Sequence, residues 1–123
     1  MRKLPVLLIC LAGAALPAQA AERMRLEIVR AAVTPDQYSG SPAVDIWLSR
    51  QSQVEFALFT AEHVGAAIDV LVDGKVLISP FLQTPMTEDR LMLTGLASAE
   101  EAEALAARLG GKKSRVEVRV AGE

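Results

Sequence analysis

Apolar residues alternate with polar ones over several short stretches of this chain and recur at helical spacing over two others. From Arg25 to Val29, Leu26 and Ile28 share one side, which predicts a first strand. Thr34 to Pro42 is dense in turn-forming residues and predicts a surface loop. Val44, Ile46 and Leu48 then line one face of a second strand, with Trp47 on the opposite face. Ser52 and Glu55 have the spacing of a capping box, in which each side chain accepts the other's free backbone N–H. Phe56, Phe59 and His63 fall on one face of the helix this box would open, and Gly65 is its expected stop. Two β-rich runs, Ile68–Val72 and Lys75–Ile78, flank Asp73-Gly74, a hairpin signal because both turn residues must accept positive φ. Ser79-Pro80 and Thr84-Pro85 limit any strand between them to a short or edge element. Arg90 to Thr94 predicts another strand, closed by Gly95. Ser98 and Glu101 repeat the capping-box spacing. Ala102, Leu105, Ala106 and Leu109 follow at i, i+3, i+4 and i+7, an amphipathic helix ending at Gly110-Gly111. Val116, Val118 and Val120 alternate with Glu117 and Arg119 in a last, half-buried strand.

The element order is β, β-α-β, β, β-α-β. Right-handed crossovers would set both helices on one face of a single sheet. The expected class is α+β: a two-layer sandwich with a ferredoxin-like β-α-β-β-α-β core and a mainly antiparallel sheet.

The first twenty residues break this pattern. Arg2 and Lys3 precede an almost wholly apolar run from Leu4 to Leu16, and Ala18-Gln19-Ala20 follows Pro17 as a small-x-small cleavage signal. Residues 1–20 therefore read as a secretory signal peptide and 21–123 as one exported domain. The apolar run is about a dozen residues, short of the roughly 20 that cross a bilayer, so a permanent anchor is the weaker reading. Cys10 follows Leu-Leu-Ile, which raises lipidation, but bulky Ile9 and the early position argue against it. Cleavage after Ala20 would remove the only cysteine, so the mature chain has no disulfide, thiol nucleophile or cysteine metal ligand. The expected location is the periplasm, with no membrane anchor after cleavage.

Loss of Arg2 and Lys3 takes the formal charge from −2 to −4. A mildly acidic domain without a basic run has no electrostatic footprint for nucleic acid, and 4% aromatics leaves little for a stacking platform. No catalytic constellation appears. His63 is the only histidine, and a nucleophile–base pair would need a Ser or Thr beside it. Glu100, Glu101 and Glu103 sit where negative charge complements a helix N-terminus. Asp73 is explained as a turn residue. Asp-Gly-Lys lacks the further glycines of a phosphate loop. No catalytic residue, metal or cofactor is expected. Two features are left over: Phe81, Leu82 and Met86 in the proline-bounded segment, and Trp47 on the face away from the core. Both are candidate binding residues.

The spacings also fit a known family. Phe56-x-x-x-Thr60-x-x-x-Val64-Gly65, Asp73-Gly74-Lys75-Val76, Ser79-Pro80, Pro85-Met86, Thr94-Gly95 and the Ser98-Ala99-Glu100-Glu101-Ala102 helix follow in order. From Val44 to Val120 the chain resembles the head subdomain of the first periplasmic domain of SecD and SecDF, membrane components that assist the Sec translocon. The resemblance implies structural roles for Phe56, Thr60, Gly65, Asp73, Gly74, Pro80, Pro85 and Gly95. The chain departs from the family at Thr87-Glu88-Asp89, where two glycines are usual, and at Gly110 to Ser114, where G-x-L-P is usual. It lacks the family's transmembrane helices and intramembrane acids, so the resemblance implies the head alone. The implied function is a non-enzymatic binding module, linked to protein export, for an unfolded or extended polypeptide or a periplasmic protein. Such a segment could add to a sheet edge, with Trp47 or Phe81 supplying a pocket. The alternatives are a small periplasmic hydrolase using His63 and a structural subunit of an envelope assembly.

Overall fold

A computed structural model describes residues 23–122; the expected leader, with Cys10 and its cleavage site, lies outside the described residues. Among these residues, seven strands and two helices follow in the order β1 (Met24–Leu26), β2 (Ile28–Pro35), β3 (Pro42–Leu48), α1 (Arg50–Glu62), β4 (Ile68–Val72), β5 (Lys75–Ile78), β6 (Arg90–Leu93), α2 (Ala99–Gly110) and β7 (Val116–Val120). The fold is α+β with wholly antiparallel pairing. Its strands divide into two sheets, ordered β1-β7-β4-β5 and β2-β3-β6, where the hydrophobic pattern suggested one. Each helix carries the chain from the three-stranded sheet to the four-stranded one, so neither makes a parallel crossover.

Glu27 causes the division. Its N–H donates to Ser52 Oγ at 2.8 Å and its carbonyl accepts Ser49 N–H at 2.9 Å. Both backbone groups are taken by the start of α1, so Glu27 joins no ladder and the Arg25–Val29 stretch splits around it. The same bonds correct the helix start. Ser49 is the N-cap, its hydroxyl accepting Ser52 N–H at 3.1 Å, while Ser52 is buried and Glu55 accepts from Gln51 instead.

α2 is capped by Ser98 as its spacing predicts, with the return bond displaced by one residue. Ser98 Oγ accepts Glu101 N–H at 3.1 Å and the Glu101 carboxylate reaches back to Ala97 N–H. Ala102, Leu105 and Leu109 are its buried face. Its end is not made by a left-handed glycine: Gly111 has φ −87° and Lys112 takes φ +60°, its Nζ donating to the Ile28 carbonyl at 2.8 Å. Side chains from both sheets and both helices meet in one core that includes Ile46, Phe56, Ile68, Val70, Leu82, Leu93, Leu105, Leu109, Val116 and Val118.

At the β4–β5 hairpin Asp73 and Gly74 have φ +52° and +86°, the two positive values a type I′ turn requires. The Asp73 carboxylate accepts Arg115 N–H at 2.9 Å and Ser114 Oγ at 2.8 Å, which bolts the turn to the α2–β7 loop. Those two bonds, the Arg115 N–H first, hold its pKa below the ordinary value. Asp69 is lowered chiefly by the Ser79 hydroxyl at 2.7 Å, against burial and with help from Arg119 at 3.0 Å. A carboxylate whose folded pKa is depressed contributes stability that is complete above its unfolded value, about 4, and lost as pH falls through the folded value. Asp69→Asn with Asp73→Asn is therefore expected to lower stability at neutral pH and to flatten its fall below about pH 4. Urea unfolding from pH 2 to 6 checks this.

Candidate functional site

Each sheet ends in edge strands, and residues of two of these, β5 and β6, line one groove. Among the described residues β5 pairs only with β4, and β6 only with β3. Between them runs an open groove of about 650 Å³, mainly apolar, with Leu77 and Ile78 on one side and Arg90, Leu91 and Met92 on the other. Pro80 and Met86 also line it, as do Thr94 and Gly95. Leu77 has no cross-strand partner on β4, since Leu71 pairs with Val76 and Val70 with Ile78. It is the extra residue of a bulge, which re-aims the strand edge. Gly95 has φ +82°, and an added Cβ would stand 3.4 Å from the Leu77 carbonyl. A residue free to take left-handed backbone is needed here, where the end of β6 closes on the β5 edge.

The proline-bounded segment after β5 is held at nearly every turn. Ser79 Oγ donates to Asp69. Ile68 N–H donates to the Pro80 carbonyl, Gly65 N–H to the Leu82 carbonyl, and Leu82 N–H to the Ala66 carbonyl, at 2.8–3.0 Å. α1 fixes the rest. Thr60 Oγ1 donates to the Phe56 carbonyl at 2.9 Å and accepts Met86 N–H at 2.9 Å, and Gln53 Nε2 donates to the Thr87 carbonyl at 2.9 Å. The F-x-x-x-T spacing now has a physical account: Phe56, 1% exposed, seats the helix in the core, and Thr60 one turn later bolts the groove's Met86 wall to it.

The four candidate binding residues separate. Met86 is half-buried and lines the groove. Phe81 is 61% exposed, its backbone bridged to Ala67. Leu82 is 2% exposed and belongs to the core, so it offers no surface to a partner. Trp47 is half-buried on the three-stranded sheet, directly opposite Arg30 on β2 and Arg90 on β6. The Arg30 guanidinium lies 4.3 Å from its ring centroid and that of Arg90 5.8 Å, within cation–π range. Neighbouring strands thus cover much of the indole, and Arg90 links it to the groove. The β5 and β6 edge residues carry no chemical motif and were not singled out from the sequence. The short Lys75–Ile78 run before Pro80 was the available signal for an unpaired edge.

His63 caps the C-terminus of α1. Its Nδ1 lies 2.8 Å from the Phe59 carbonyl and its ring packs on Phe59 at 4.6 Å. Its ring hydrogen-bonds to a backbone carbonyl, and among the described residues it has no hydrogen bond to a carboxylate or hydroxyl. Among the described residues no cluster of three or more His, Asp and Glu is placed to hold a metal ion. None of the described helices is long and apolar enough to cross a membrane.

A family model described as "SecDF, P1 head subdomain" matches residues 24–112. Similar curated proteins include protein translocase subunit SecD of Acidaminococcus fermentans, 41% identical over 68 residues (55% of this chain, 16% of the relative). Another is SecD of Dictyoglomus turgidum, 33% identical over 81 residues (66% and 20%). A third is SecDF of Thermus thermophilus, 28% identical over 86 residues (70% and 12%). Among solved structures, SecDF in its super-membrane-facing form superposes with a TM-score of 0.65 at 25% identity, covering 76% of this chain and 13% of that one. A second SecDF structure, of a membrane component that enhances protein export, gives the same TM-score and identity over 79% of this chain and 44% of that one. The chain thus spans about a fifth or less of the length of these curated relatives.

Proposed function

Because the chain belongs to the SecDF P1 head subdomain family, we propose that it is a non-enzymatic, periplasmic binding module of protein export whose groove takes an extended polypeptide segment. The observation that carries this reading is one mainly apolar groove lined by residues of two edge strands, β5 and β6. An extended segment has its own backbone N–H and C=O groups to satisfy, and an unpaired edge satisfies them in any sequence. Side chains at alternate positions would then enter the groove. Its Met86 and Met92 suit variable occupants, because an unbranched thioether side chain re-packs easily. An exported chain passes such a module unfolded and with no fixed sequence, which backbone pairing plus adaptable apolar contact accommodates. The expected leader, residues 1–20, would deliver the domain to that compartment.

The test is titration of a permanently unfolded secretory polypeptide, followed by fluorescence anisotropy. Met92→Lys places a charged head in the groove and is expected to weaken binding at least about tenfold, a cost near 1.4 kcal/mol, with an unchanged circular dichroism spectrum. Unaltered affinity of the folded variant would move the binding site elsewhere.

A further inference from the structure

α1 buries only Ser52, Phe56 and Thr60 of its 13 residues. On the opposite side Val54 is 52% and Leu58 63% exposed, where a surface helix ordinarily presents polar residues. Arg50, Val54, Leu58 and Glu62 are spaced by four and all exposed, so they form one continuous ridge along the helix. The ridge is apolar at its centre and carries opposite charges at its ends. Neither Arg50 nor Glu62 takes part in the ion pairs of the described residues, which join Arg23 and Arg115 to Glu117 and Arg119 to Asp69.

This ridge is its own complement. Reversing it about its midpoint, the level of Phe56, exchanges Val54 with Leu58 and Arg50 with Glu62. We propose that the exposed face of α1 is the contact surface for a second copy of this chain, packed antiparallel about a two-fold axis. Val54 then meets Leu58 of the partner subunit and Arg50 meets Glu62 of the partner subunit. Two-fold symmetry repeats both contacts, and the two helix dipoles oppose. Next to the ridge Ala61 comes level with Gln51 of the partner subunit, so a small side chain makes room for a longer one. A parallel arrangement would set Arg50 against its own copy and loses the charge match. Within one chain Arg50 and Glu62 stand three turns apart, about 18 Å along the axis, too far to pair. The charge complementarity is therefore usable only between copies.

Sedimentation velocity of the protein as purified from cells, across low-micromolar to millimolar concentration, reads the association. A concentration-dependent dimer is expected, weak because the contact is at the small end of specific interfaces. Leu58→Glu is expected to weaken it at least tenfold while an unchanged thermal melt shows the fold intact, since the residue is in solvent. Arg50→Glu alone and Glu62→Arg alone should each weaken it several-fold, and the two together should restore it, because the reversed pair re-forms between copies. A monomer at every concentration overturns the proposal. So does a dimer indifferent to Leu58→Glu, or a double reversal that associates no better than the single ones.

Discussion

Phe56→Ala is expected to lower the stability of the domain by about 3–5 kcal/mol, the usual cost of emptying a buried aromatic site. Small domains have only about 5–15 kcal/mol in total, so this one change should leave a substantial unfolded population at elevated temperature. The effect is large because Phe56 is the one large side chain of α1 fully buried in the core; its other buried residues are Ser52 and Thr60, and Phe59 is only partly buried against the core. Loss of Phe56 leaves the helix docked through the partly buried Phe59 and a few hydrogen bonds, and those bonds also hold Met86 and Thr87 at the groove wall. Peptide binding should therefore fall even under conditions where most molecules remain folded. Thr60→Val separates the two effects. It keeps the side chain's shape and deprives Met86 N–H of its acceptor, at about 1–3 kcal/mol. Urea unfolding of both variants measures the difference. A Phe56→Ala protein as stable as the wild type would mean that α1 does not depend on this contact.

The second large effect is on the ligand. If the groove works through strand pairing, methylating alternate backbone nitrogens of the bound peptide removes donors while leaving every side chain in place. A net hydrogen bond contributes about 1 kcal/mol, so three N-methyl groups should cost roughly 3 kcal/mol, about a hundredfold in Kd. Methylating the intervening nitrogens, which point away from the paired edge, should cost much less. Isothermal titration with the two methylated peptides and their parent checks this. Equal losses for both series would show that pairing with one edge is not the mode of binding.

Much of this was legible because local chemistry decides it. The Asp73-Gly74 turn, the Ser98 cap and the Val116–Val120 alternation are each fixed by a few adjacent residues, and each folds as its pattern predicts. The division into two sheets was not legible, because it depends on Glu27 meeting Ser49 and Ser52 more than twenty residues away. Ser52 shows the same limit: its spacing to Glu55 is right for a cap, but its hydroxyl is taken by a distant backbone group. Among candidate contacts, burial sorts Leu82 into the core and leaves Phe81 outside it, a division the proline-bounded sequence does not carry. The groove itself arises from strand order, and Leu77, Ile78 and Met92 carry no sequence signal beyond being apolar and near an edge.

The most direct measurement is amide NMR of the domain with and without a permanently unfolded secretory polypeptide. Strand addition in the groove predicts slowed hydrogen exchange concentrated at one edge, Lys75–Ile78 or Arg90–Leu93, with shift changes at both and little change at the Asp36–Ser41 turn of the β2–β3 hairpin. Unchanged exchange at both edges, with the polypeptide bound, would contradict the account.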